Sequence, residues 1–184
     1  MKRYLYKLLF LKIMKWKIIG SISEDTKKCI LLVVPHTSWR DFYIGVLTRG
    51  IMDQSMNFVG KKELFSFPLG AYFRWMGGAP LNRAKNENKV QAIAKIFAQR
   101  EEFRLAIAPE GTRKKVTSWK TGFYYIAQEA NVPVVPVAFD WKNKEVRLGA
   151  PFYTTDNIDN DIAELEKFFV GVVGRVPEYS YVSK

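Results

Sequence analysis

The sequence predicts an α/β fold: a single domain with a largely parallel central sheet flanked by helices, preceded by a basic and apolar N-terminal helix. Short apolar, β-branched runs recur along the chain, and several of the segments between them carry helical spacing, so strand and helix alternate. The 184 residues are 48% apolar and 15% aromatic, enough to bury one core, and they contain no internal repeat or low-complexity linker.

The first twenty residues hold six basic side chains (Lys2, Arg3, Lys7, Lys12, Lys15, Lys17) and no acid, and most of the rest are large and apolar. Read as a helix, Leu5, Leu9, Ile13, Trp16 and Ile19 share a face, with Lys12 on it as well. Uncharged runs there reach only four residues, against the roughly 18 to 20 needed to cross a bilayer. The stretch has no small-residue cleavage site and is expected to stay on the mature protein. Lysine stems can lie along lipid while their ammonium groups reach the headgroups. Residues 1–22 are therefore expected to form a membrane-surface helix, attached through residues 1–20, with the main domain over 23–184. The alternative is a basic helix packed on its own domain.

The strands follow in order: "CILLVV" (29–34), "MNFVG" (56–60), "RLAIAP" (104–109), "VPVVPVAF" (132–139) and "EVRLG" (145–149). A helix starts near "DFYIGVL". "KVQAIAKIFAQREEF" sets Val90, Ile93, Ala94 and Phe97 at helical spacing, and "WKTGFYYIAQEA" makes a helix ending before Asn131. "IDNDIAELEKFFVGVV" reads as a closing helix in an acidic tail.

A net charge of +11 predicts an anionic partner, whether nucleic acid, a phosphorylated small molecule or an acidic membrane surface. The chain offers no nucleic-acid recognition helix and no ribonucleoprotein motif, so nucleic acid is not the expected partner. One cysteine, Cys29, excludes an intrachain disulfide, and with the lone His36 it leaves too few ligands for an ordinary zinc site. No metal site is expected, and the protein should face the cytosol.

In open α/β sheets, ligands gather beyond the carboxyl ends of the strands. "HTSWRD" follows the first main strand, "GKKE" follows "MNFV" and "PEGTRKK" follows "RLAIA". These strand ends bring His36, Asp41, Lys61, Glu110 and Arg113 toward one edge. His36 can act as general base if Asp41 fixes its tautomer through the other ring nitrogen. Asp41 is equally suited to cap the following helix. A strand-end glycine, Gly111, beside Arg113 suits a phosphate, and Arg83 in "GGAPLNRAK" is a second phosphate contact.

These residues make the chain resemble the glycerolipid acyltransferase family, whose best-known members acylate lysophosphatidic acid to phosphatidic acid. "HTSWRD" resembles the first block, "GKKELFSFPLG…GGAPLNR" the second, "PEGTR" the third and "VPVVPV" the fourth, in that order over residues 36 to 137. The resemblance implies that His36 is the base on the acceptor hydroxyl and that Asp41 orients it. It implies that Glu110, counted with the catalytic residues, shapes the acceptor site with Gly111, Thr112 and Arg113. Arg83 and Lys61, or Lys62 in its place, would hold the acceptor's phosphate, and Lys120 and Gly122 resemble a basic-Gly pair after the third block.

The implied activity moves a fatty acyl group from acyl-CoA or acyl carrier protein to a lyso-glycerophospholipid, with no resident cofactor. A lyso-aminolipid acceptor is the alternative, and a basic nucleic-acid module or an inactive membrane scaffold are the non-enzyme readings. The expected place is peripheral or monotopic on the cytoplasmic face of a membrane.

Overall fold

The computed structural model describes residues 2–81 and 88–181. A five-stranded sheet runs in the order β1 (Lys17–Ile19), β7 (Glu145–Leu148), β6 (Val134–Asp140), β2 (Lys28–Val34) and β5 (Phe103–Ile107). All neighbours are parallel except β6 and β7, which a short turn joins antiparallel. A separate parallel pair, β3 (Phe58–Lys61) and β4 (Gly78–Leu81), is linked to the main sheet by a bridge between Asn57 and Leu105 and packs into the same core through Ala79 and Leu81.

Side-chain alternation along the central strands divides the core in two. Ile30, Leu32 and Val34 of β2 face one side with Val134 and Ala138 of β6, covered by α4 (Lys89–Gln99), α5 (Gly122–Ala130) and α6 (Ile158–Lys167). Cys29 and Leu31 face the other side with Val135, Val137 and Phe139, beneath α2 (Arg40–Met52). The helices stop where the local chemistry says they should. Asn88 caps α4 by accepting from the Val90 amide, and Asn131 ends α5 in a left-handed turn.

The N-terminal segment differs from the expected single helix. It begins as α1 (Lys2–Lys7) and continues as a π-helical stretch, Leu8–Ile13, closed by a 2.9 Å bond from the Met14 amide to the Leu9 carbonyl. It then turns at Lys15 and enters the sheet as β1 beside β7. A boundary at residue 22 therefore cuts through the domain. Phe10 and Trp16 are buried in the α2-side core, while Leu5 and Ile13 stay exposed. The acidic closing helix is also shorter than expected, because the chain after Lys167 breaks into turns. α3 (Gly70–Trp75) and β4 were not expected at all.

Candidate active site

β2 and β5 lie side by side, with Leu32 opposite Ile107, so their carboxyl ends open at one edge. His36 and Asp41 occupy the turn after β2. Asp41 is 1% exposed. It does not cap α2 as the N-cap residue, since the helix already includes Arg40. Its carboxylate instead turns back on the loop. Oδ2 lies 3.2 Å from His36 Nδ1 and accepts from the Ser38 amide at 2.8 Å, while Oδ1 accepts from Trp141 Nε1 at 2.8 Å. Both oxygens are thereby held by protein donors in a buried place, where such bonds are strongest. A proton on Nδ1 shared with Asp41 leaves Nε2 as the ring's accepting nitrogen.

Glu110 joins this group from the β5 side. Its Oε2 accepts from the His36 amide at 2.9 Å, and its Oε1 is buried without a partner among the described residues. Burial pushes its carboxyl up from 4.5 to about 7, against the opposing pull of the His36 amide bond and ring. At 2% exposure it stands behind the histidine loop and positions His36 through the backbone. Arg113, farther along the same loop, lines a cavity that His36 and Asp41 also line.

That cavity has a volume of about 320 Å³ and is mostly apolar, within the range of small-molecule sites. Its floor is Leu31, Val137 and Phe139 of the sheet, and its roof is the face of α2 carrying Phe42 and Gly45. His36 lines this slot with its side chain 27% exposed, open to solvent at one end.

The acyltransferase family model matches residues 17–140, two thirds of the chain, including His36, Asp41, Glu110 and Arg113. The chain belongs to the acyltransferase family. Among its relatives, a 1-acyl-sn-glycerol-3-phosphate acyltransferase of Salmonella typhimurium is 33% identical over 97 residues, 49% of this chain and 39% of that protein. The human 1-acyl-sn-glycerol-3-phosphate acyltransferase beta is 25% identical over 147 residues, 77% of this chain and 51% of that one. This chain thus spans about two fifths to half of these relatives. The crystal structure of a 1-acyl-sn-glycerophosphate acyltransferase from Thermotoga maritima superposes with a TM-score of 0.58 at 20% identity, covering 90% of this chain and 74% of that one, and shares its fold.

Within this acyltransferase domain the "PEGTR" loop is braced by Lys120. Its amide donates to the Pro109 carbonyl at 2.8 Å, and its side chain lies over Gly111, where an added Cβ would come within 2.8 Å of Nζ. Gly111 also has φ +63°, a backbone conformation that strains any residue with a side chain. Thr112 is exposed and accepts from the Lys114 amide at 3.3 Å, shaping the turn. Lys61 ends β3 opposite Leu81, on the small sheet rather than on the main one. Arg83 lies outside the described residues.

Sequence reasoning missed Trp141. The residue follows β6, and its indole is the second clamp on Asp41. It packs edge-on against Trp16 at 4.9 Å, and the Arg175 guanidinium lies 5.4 Å from its ring. The carboxyl-terminal stretch closes over the same loop, with the Val176 amide donating to Thr37 at 3.1 Å and the Trp141 amide to Val173 at 2.8 Å. Trp141 sits a hundred positions from Asp41, so nothing local in the chain signals the pairing.

Proposed function

We propose that the chain transfers a fatty acyl group from an acyl thioester to the free hydroxyl of a lyso-glycerophospholipid, most directly lysophosphatidic acid, yielding phosphatidic acid. The observation that carries this reading is the His36–Asp41 pair at the mouth of an apolar cavity whose lining includes Arg113. The names of the relatives support it.

The acceptor hydroxyl gives its proton to His36 Nε2 as its oxygen attacks the thioester carbonyl. The carbon–sulfur bond breaks, and the departing thiolate takes the proton back from the imidazolium. Asp41 holds the ring and stabilises its charged state, a positioned-base role worth about 10² to 10⁴ in rate. Arg113 pairs with the acceptor phosphate through two parallel N–H donors. Cys29 takes no acyl group, because burial pushes its thiol up to about 12 and disfavours the thiolate.

Either acyl-CoA or acyl carrier protein serves as donor, and both are anionic partners for a chain of charge +11. Residues 2–13 attach the enzyme to the cytoplasmic face of a membrane through their exposed leucines and the exposed Lys7 and Lys12. No described helix is long and apolar enough to cross a membrane.

The test is purified protein in mixed micelles with lysophosphatidic acid and an acyl thioester, following free thiol and lipid product together, beside His36→Ala. The expected result is phosphatidic acid from the parent and a loss of about 10² or more in the variant. Thiol release without phosphatidic acid moves the reading to another acceptor, and equal product from His36→Ala overturns the base.

A further inference from the structure

We propose that residues 62–75 form a second bilayer-contacting element, so that the protein rests on an anionic membrane through two separated apolar ridges, this one and the N-terminal helix. The segment is a 3₁₀ turn, Lys62–Phe65, followed by a loop and α3. It presents Leu64, Phe67, Leu69, Tyr72 and Trp75 to solvent, with Phe67 97% and Trp75 60% exposed.

This outward display is built rather than loose. Phe65 is buried and packs edge-on against Phe73 at 6.4 Å, the Arg74 guanidinium lies 5.8 Å from the Phe65 ring, and the Gly70 amide donates to Ser66 at 2.8 Å. The turn is so tight that a Cβ on Gly70 would fall 2.0 Å from the Phe65 carbonyl oxygen. A pinned segment that directs five large apolar side chains into water requires a covering phase.

The chemistry of that phase follows from the residues around it. Tyr and Trp favour a boundary that is apolar on one side and wet on the other. Residues 61–75 carry Lys61, Lys62 and Arg74 against Glu63 alone, a balance that suits anionic headgroups.

Position adds a third argument. A groove of about 410 Å³ is walled by Arg3 and Tyr6 of α1 on one side and by Trp75 and Met76 on the other, with Arg49 and Gly50 of α2 between them. Arg3 is tied to the Ile51 carbonyl at 2.8 Å and Arg49 to the Trp75 carbonyl at 3.4 Å, so α1 and the end of α3 border the same groove. Val46, Arg49 and Met76 line this groove and the apolar cavity alike. A lipid leaving the bilayer between the ridges therefore meets the wall of the reaction cavity.

The proposal rests on the proposed function's reading that the substrates are lipids and that residues 2–13 meet the membrane, and its vesicle test needs no turnover. An environment-sensitive fluorophore is placed at Phe67→Cys in the full chain, where buried Cys29 stays unlabelled, and vesicles of phosphatidylglycerol and phosphatidylcholine are added. The expected result is a blue shift with anionic vesicles, and a fall of about tenfold or more in vesicle binding for both Phe67→Ser/Leu69→Ser and Leu5→Ser/Ile13→Ser. Point changes are used because deleting the N-terminal helix would take Phe10 out of the core and uncover Trp16, whose ring lies 5.8 Å from it.

Transfer to a short-chain, monomeric acceptor should be unchanged in the Phe67→Ser/Leu69→Ser variant. Vesicle binding with no shift at position 67, or unaltered binding by that double variant, overturns the proposal. So does a shift that follows protein concentration without vesicles, which would make the ridge a contact between two copies. Vesicle binding as expected with no acyl transfer to any acceptor would sink the proposed function and leave the ridge standing.

Discussion

On one face of the central sheet, Phe97, Phe103, Trp119, Phe123 and Tyr124 fill the space beneath α4 and α5; on the other, Gly45 and Thr48 of α2 leave about 320 Å³ open above Leu31, Val137 and Phe139. The same strands serve both faces, since Val134 and Ala138 point one way and Val135, Val137 and Phe139 the other. The filled face has edge-on ring contacts, with Phe97 to Phe103 at 4.8 Å and Trp119 to Phe169 at 5.5 Å. The open face is bordered instead by the polar frame of His36, Asp41 and Arg113. One face supplies stability, and the other gives up packing to leave a cavity beside the polar frame.

The largest effect that sharpens this contrast falls on the filled face. Phe123→Ala removes a fully buried ring from α5 and should cost about 3 to 5 kcal/mol of stability in denaturant unfolding, with no change in acyl-chain preference. A chain-length change from that position would mean that the two faces are not separate.

A smaller effect is expected at the polar frame of the open face. Trp141→Phe keeps the ring against Trp16 but removes the donor to Asp41 Oδ1. Loss of one buried, charge-assisted bond of about 1.5 to 3 kcal/mol should lower kcat by roughly tenfold or more, with KM nearly constant and the alkaline and acid limbs of the pH–rate profile displaced. A fall in stability with an unaltered profile would make Trp141 merely a packing residue.

A separate effect is the pH dependence from Glu110. Its carboxyl rises from 4.5 to about 7 on folding through burial. Between those values the unfolded chain has lost the proton that the folded chain keeps, so this group makes stability fall as pH rises through the window. Glu110→Gln should flatten the slope of unfolding free energy against pH between about 4.5 and 7. An unchanged slope would place the carboxyl in a more solvated setting than its 2% exposure indicates.

What the sequence made legible follows the range of the interactions. β2, β5, β6 and β7 were readable because each is an apolar run bounded by turns, and His36 with Asp41 because one loop holds both. β1 was hidden in three residues whose basic, apolar surroundings carry helical spacing, and only its pairing with β7 makes it a strand. β4, "GAPL", contains two residue types that sequence rules assign to turns, and it depends on β3 beside it. Glu110 was readable as a residue of the site but not as the acceptor of the His36 amide, 74 positions away. Trp141 was unreadable for the same reason of distance, and the aromatic ridge over 62–75 because burial cannot be read from composition.

The most direct test of the open face as the reaction site is the transfer rate against acyl-chain length for the parent and for Gly45→Val. A Cβ at Gly45 meets only Phe139, at an ordinary 3.8 Å, so valine's methyl groups enter the cavity, and replacing glycine within a helix does not weaken it. The account predicts a folded variant whose optimum moves to shorter chains while His36 chemistry on those chains persists. An identical chain-length profile in the two proteins would contradict it, because the acyl group would then lie somewhere other than beneath α2.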